Sequence, residues 1–203
     1  MPADAPLLTE DEIHGLLAPY EARVGEVITR AVDRWRQMPV SHVVSFTPRT
    51  RASAIHDLIV EEATAEFLGD PSVTVSLKRG TVVLVFGGRV AVRFKKVRGR
   101  SLRYSVGPTY RQRAIHEQQL PLDGTDLRVT WATAGYRLDA AGDLAQAALV
   151  VTDGDVQQYA FDLSSAATAA VVELPADDSD DDGLVIRAAG TGDAADADAS
   201  AAP

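Results

Sequence analysis

Between Lys78 and Arg113 the chain places eleven Lys and Arg residues and no Asp or Glu. Cations in such a run neutralise phosphates and release their counterions, so binding to a nucleic-acid backbone weakens steeply with salt. Arg89, Arg93, Lys95, Lys96, Arg98 and Arg100 are the principal candidates for contact with nucleic acid. Lys78, Arg79, Arg103, Arg111 and Arg113 form a second rank. Tyr104 and Tyr110 interleave with the charges, where they could stack on unpaired bases. The competing reading is a solvated sheet face, its Lys and Arg guarding an edge strand and pairing with acidic helices.

Other chemistry has little support. The four histidines, His14, His42, His56 and His116, lack metal-ligand spacing. His56-Asp57 and His116-Glu117 are adjacent on expected helices, and adjacent helical residues do not face one another. Gly87-Gly88 is not followed by the Lys-Ser or Lys-Thr of a phosphate loop. No catalytic residue, metal ligand or cofactor is assigned.

The charge of the rest of the chain runs the other way. Residues 1–77 carry six basic and twelve acidic groups, residues 114–174 two and nine, and residues 175–203 one and eight; the whole chain is at −9. Overall acidity does not argue against an anionic partner, because the field near the basic segment can still be positive. The partner is expected to be nucleic acid or, alternatively, an acidic protein. There is no cysteine, which removes disulfides and thiolate metal sites. No apolar run approaches the ~20 residues of a membrane span, and Met1-Pro2-Ala3-Asp4 does not open like a signal peptide. The expectation is a cytoplasmic protein without a membrane partner.

The elements that position the cations follow from periodicity. Thr9 and Glu12 have capping-box spacing, and Ile13, Leu16, Leu17, Tyr20, Val24, Val27, Ile28, Val32 and Trp35 form one apolar helical stripe. Pro19 should kink or split this helix, whose stripe could also join two copies into a homodimer. His42 to Phe46 reads as extended, Thr50 to Leu68 as a second helix and Thr109 to Gln119 as a short third. Val73, Val75 and Leu77 mark a strand. Thr81–Phe86 and Arg89–Lys96 read as a hairpin with a two-residue Gly87-Gly88 loop, pairing Phe86 with Arg89 and Val82 with Arg93. A strand follows at Leu127–Trp131, which Ala134–Leu138 extends or follows, and a second hairpin turns at Asp153-Gly154-Asp155. The expected organisation is a disordered N-terminus over residues 1–8, one domain over 9–174 and a disordered Asp/Ala-rich tail over 175–203. That tail could fold back on the basic segment.

A helix bearing carboxylates, followed by a β-hairpin ending in Lys, resembles the restriction-endonuclease-like core. In that fold an acidic residue starts one strand and a carboxylate-x-Lys triplet lies on the next, so that the carboxylates hold Mg²⁺. Here Arg93-Phe94-Lys95 occupies the triplet. Arg93 would repel a metal, and ligands would have to come from elsewhere, such as Glu62 or Asp70. A core of this kind would be degenerate or, with such ligands, an active metal-dependent nuclease, the least favoured of the three functional readings.

The fragments Phe46-Thr47-Pro48-Arg49-Thr50-Arg51-Ala52, His56-Asp57-Leu58-Ile59-Val60, Val90-Ala91-Val92-Arg93-Phe94-Lys95-Lys96, Gln119-Leu120-Pro121 and Ala134-Gly135-Tyr136 together resemble a family of uncharacterised bacterial proteins. Those are often encoded beside a helix-turn-helix repressor and a zinc metallopeptidase in mobile elements and prophages. The resemblance covers about residues 35–163 and implies a regulatory or phage-linked setting, with no established activity. The sequence thus predicts an α+β domain, N-terminal helices on a mostly antiparallel β-sheet, acting as a non-enzymatic binding module.

Overall fold

The computed structural model describes residues 7–78, 80–122 and 128–163. The chain forms helices α1 (Glu10–Leu17), α2 (Glu21–Arg36), α3 (Val40–Val43), α4 (Pro48–Phe67) and α5 (Tyr110–His116). Its strands are β1 (Val73–Lys78), β2 (Thr81–Phe86), β3 (Val90–Arg98), β4 (Arg103–Tyr104), β5 (Thr130–Leu138), β6 (Leu144–Asp153) and β7 (Val156–Asp162). It is an α+β fold. The sheet order is β1-β2-β3-β5-β6-β7, with the short β4 on β3. Every pairing is antiparallel except β3 with β5. Parallel neighbours need a crossover, and α5 lies within it.

The N-terminal helices form as their residues dictate. The Glu12 amide donates to Thr9 Oγ1 and the Thr9 amide donates to Glu12 Oε2, closing the capping box. Packing starts one residue earlier: Leu8 is buried, and its amide donates to Thr130 Oγ1 at 3.2 Å. Ala18-Pro19-Tyr20 separates α1 from α2, as a proline inside the stripe requires. The apolar stripe of α1 and α2, with Ile55, Ile59, Ala63 and Phe67 of α4, packs on one face of this chain's own sheet. Among the described residues no helix is long and apolar enough to cross a membrane.

Three local expectations are corrected. The second helix starts at Pro48, two residues early, because the Thr47 hydroxyl caps the Thr50 amide and proline suits the first helical position. His42–Phe46 is not extended; the short α3 and a turn occupy it. The β2–β3 loop has three residues. Gly87 and Gly88 both take positive φ (55° and 66°), but Arg89 belongs to the turn, its amide donating to the Phe86 carbonyl at 3.0 Å. The Arg89 carbonyl is already engaged by the Thr130 amide of β5 at 2.8 Å.

The observed partners are therefore Phe86 with Val90 and Val83 with Arg93. A one-residue shift exchanges the faces of one strand relative to the other. Val82, Leu84, Phe86, Val90, Val92 and Phe94 face the helices together. The opposite face begins apolar, with Val85 and Ala91 under Ile115 of α5 and Trp131 of β5, and becomes cationic at Arg93 and Lys95. Strand β5 is continuous from Thr130 to Leu138. The expected strand start at Leu127, residue Arg79, residues 1–6, the end of the domain and the whole acidic tail lie outside the described residues.

Candidate anion-binding cleft

The turn between β1 and β2 and the far half of β3 lie at one end of the sheet, and the Gly87-Gly88-Arg89 loop at the other. Helix α4 spans this length. Its last residue, Phe67, meets Phe86 edge to face at 6.0 Å, while its first turns reach the β1–β2 end. There α4, β1–β3 and the start of α5 enclose a cleft of about 1130 Å³. Arg49, Ser53 and His56 come from α4, Lys78 and Thr81 from β1 and β2, Arg93, Lys95, Lys96 and Arg98 from β3, and Arg111 and Gln112 from α5. Among the described lining residues seven are Lys or Arg, and the one carboxylate is Asp57.

The cleft's cations differ in how they are held. Arg93 is only 4% exposed. Its Nε donates to Thr133 Oγ1 at 3.2 Å, its Nη1 donates to Gln112 Oε1 at 3.1 Å, and its guanidinium lies 5.1 Å from the centre of the Tyr104 ring. These partners are all neutral. Burial loosens its hold on its proton, yet a guanidinium stays charged in any accessible range. Lys95, two residues on and so on the same strand face, is half-buried. Among the described residues it makes no hydrogen bond or ion pair. Burial and then the Arg93 charge push its ammonium below the ordinary lysine range. Lys96 is pulled down by burial, Arg98 and Arg51. His56 is lowered chiefly by burial and also by Lys95, against the opposing pull of Asp57 and the Gly80 backbone.

The carboxylates of the second half of α4 and of Asp70 are engaged away from this end. Arg23 holds Glu66 and Asp70 at 2.8 and 2.7 Å. Arg30 holds Glu62 and Glu66 at 3.0 and 2.9 Å. Arg34 holds Glu62 and Glu61 at 2.7 and 2.9 Å. The acidic half of α4 thus pairs with α2, and the first turn of α4 has no acid of its own. A helix start favours negative charge, so Arg49 and Arg51 add to a positive end. Glu62 and Asp70, the fallback metal ligands of a nuclease reading, are both in arginine pairs. Among the described residues no three His, Asp or Glu side chains stand together as a metal-binding group.

Of the principal sequence candidates the structure brings together Arg93, Lys95, Lys96 and Arg98. Arg89 sits at the opposite end of the sheet, paired with Glu12 at 3.2 Å, and Arg100 is exposed in the turn beyond β3; neither lines the cleft. From the second rank Lys78 and Arg111 join it, while Arg103 and Arg113 are exposed outside it. Tyr110 is 77% exposed beside the lining residues Thr109 and Arg111. Tyr104 is not available to stack on a base: its ring packs on Arg93 and His116, and its hydroxyl pairs with Thr152 at 2.7 Å and His116 at 3.2 Å. Sequence reasoning passed over Arg49 and Ser53 and set His56 aside. The available signal was a helix start with two arginines and no acid in its first turn.

The fold and cleft define a class only: an α+β domain with a cationic cleft at one end of its sheet. No family model, curated protein or solved structure matches this chain.

Proposed function

We propose that the protein is a cytoplasmic, non-cleaving nucleic-acid-binding module that takes its ligand in this cleft. The observation that carries the reading is charge segregation. Within a chain of net charge −9, Arg93, Lys95, Lys96 and Arg98 share one concave site, and none of them is in an ion pair among the described residues. A site of this sign with low-dielectric walls concentrates anions despite the acidity of the whole molecule. The volume, about 1130 Å³, lies at the upper edge of the roughly 300–1,000 Å³ of ligand pockets and leaves room for a nucleotide.

The nuclease-like resemblance supports binding without cleavage. Thr81 opens β2 and Arg93 lies on β3, both facing the cleft. These are the places where that fold would carry metal-holding carboxylates. A hydroxyl and a guanidinium there favour phosphate and disfavour a divalent cation.

The test is anisotropy of labelled single-stranded and duplex oligonucleotides over a salt series. The expected result is binding whose logarithm falls linearly with log salt, weakened by Lys96→Glu and Arg98→Glu. Affinity no better than that of an unrelated acidic protein of similar charge overturns the reading. Capture of a protein from nuclease-treated lysate, with no oligonucleotide binding, replaces nucleic acid by an acidic protein partner.

A further inference from the structure

We propose that the inner end of the cleft, at Arg93 and Lys95, is a pocket for the phosphate monoester at the end of a single strand. This rests on the nucleic-acid reading and specifies which part of the ligand the buried cations receive.

The burial of Arg93 beside the half-buried Lys95 decides the matter. Lys96 and Arg98 lie on the helix-side face of β3, opposite to Arg93 and Lys95; both are exposed and can meet a backbone that reaches the cleft from that side. Arg93, at 4% exposure, cannot be reached by a strand that merely crosses the surface. A charge buried without a counter-ion is costly. The Thr133 hydroxyl, the Gln112 carbonyl oxygen and the Tyr104 ring orient Arg93 without neutralising it. Lys95 shares its strand face and adds a second positive charge with no protein partner among the described residues. Two cations on one strand face of the cleft, one buried and one half-buried, call for a compact anion of nearly two charges. A terminal phosphate monoester carries about −1.5 to −2 near neutrality, whereas an internal diester carries one. His56 and the hydroxyls of Ser76 and Thr81 line the same cavity and complete its donor set. Tyr110, exposed at the start of α5, is not one of the residues lining the cleft.

The probes are one single-stranded sequence in three forms, with a 5′-phosphate, with a 3′-phosphate and with hydroxyls at both ends, together with the free mononucleotide. Competition is followed by anisotropy against the full-length protein. The expected result is that a phosphorylated end binds tighter than the hydroxyl-ended strand by about ten-fold or more, the scale of one charge-assisted hydrogen bond. The preference should disappear in Arg93→Met and shrink in Lys95→Gln, each shown to be folded by its melting curve, while residual binding stays salt-sensitive. Equal affinity for all three strands, with salt-sensitive binding intact, overturns the terminal-phosphate pocket and leaves the nucleic-acid reading standing. Binding of the mononucleotide with none of any strand overturns both.

Discussion

The Arg93 guanidinium lies 5.1 Å from the centre of the Tyr104 ring, whose hydroxyl is anchored 2.7 Å from Thr152. Strand β4, the source of Tyr104, is only two residues long. It nevertheless closes over the β3 face and turns a cation of an exposed ribbon into an interior one. The contact ties β3, β4 and the end of β6 together around a charge with no carboxylate partner.

Arg93→Met should therefore leave stability within about 1 kcal/mol of the parent or raise it, since removing an uncompensated buried charge offsets the lost hydrogen bonds to Thr133 and Gln112. Chemical denaturation beside the binding assay checks this. A loss of several kcal/mol would show that Arg93 holds the fold together rather than waiting for a ligand.

Gln118 takes a positive φ of 55°, uncommon for a residue other than glycine. Its amide extends the β5–β6 ladder where backbone pairing ends. Nε2 donates to the carbonyls of Trp131 and Thr152 at 2.8 and 2.7 Å, and Oε1 accepts from the Trp131 amide at 2.7 Å. Gln118→Ala leaves all three backbone groups without that partner and should cost about 2 kcal/mol or more. Urea denaturation measures the loss, and a cost below about 0.5 kcal/mol would mean that water replaces the amide.

A methyl group on Gly25 of α2 would run into the backbone carbonyl oxygen of Leu163. Gly25→Ala should destabilise by about 1–3 kcal/mol, the scale of overpacking. Gly15→Ala in α1 meets nothing within 4 Å and should stabilise by up to about 1 kcal/mol. Opposite shifts in melting temperature are expected; shifts of the same sign would contradict the close approach of α2 to Leu163.

Acid should weaken the fold in two stages. His56 titrates below its ordinary value in the folded chain, chiefly through burial, with Lys95 adding to the shift and Asp57 and the Gly80 backbone opposing it. The unfolded chain therefore takes up its proton first, and stability falls as the pH drops through the ordinary histidine range, about 6.5. Glu62, Glu66 and Asp70 are also held low, by Arg34, Arg23 and Arg23 respectively. Their contribution is complete above the ordinary carboxylate range and is lost below about pH 4.5. His56→Gln should flatten the upper stage and leave the lower one; an unchanged upper stage would remove His56 as its cause.

The local elements were legible because each follows from short-range rules. The Thr9–Glu12 capping box, the break at Pro19, the α2 stripe and the Asp153–Asp155 turn were all set by residues a few positions apart. The hairpin register was not. Two glycines suggested a two-residue loop, and only the capture of the Arg89 carbonyl by Thr130, 41 residues on in the sequence, decided for three.

The charge asymmetry of the chain belongs to its composition, and no folding alters it. Which cations act together was decided by tertiary structure. Alternation along β3 and the register with β2 turned Arg93 and Lys95 to one face. The packing of α4 brought Arg49 and His56 to the same end, and the ion pairs between α2 and α4 drew the carboxylates to the other. Long-range packing sets such groupings, because the side chains concerned lie tens of residues apart and meet only when the sheet and helices close over one core.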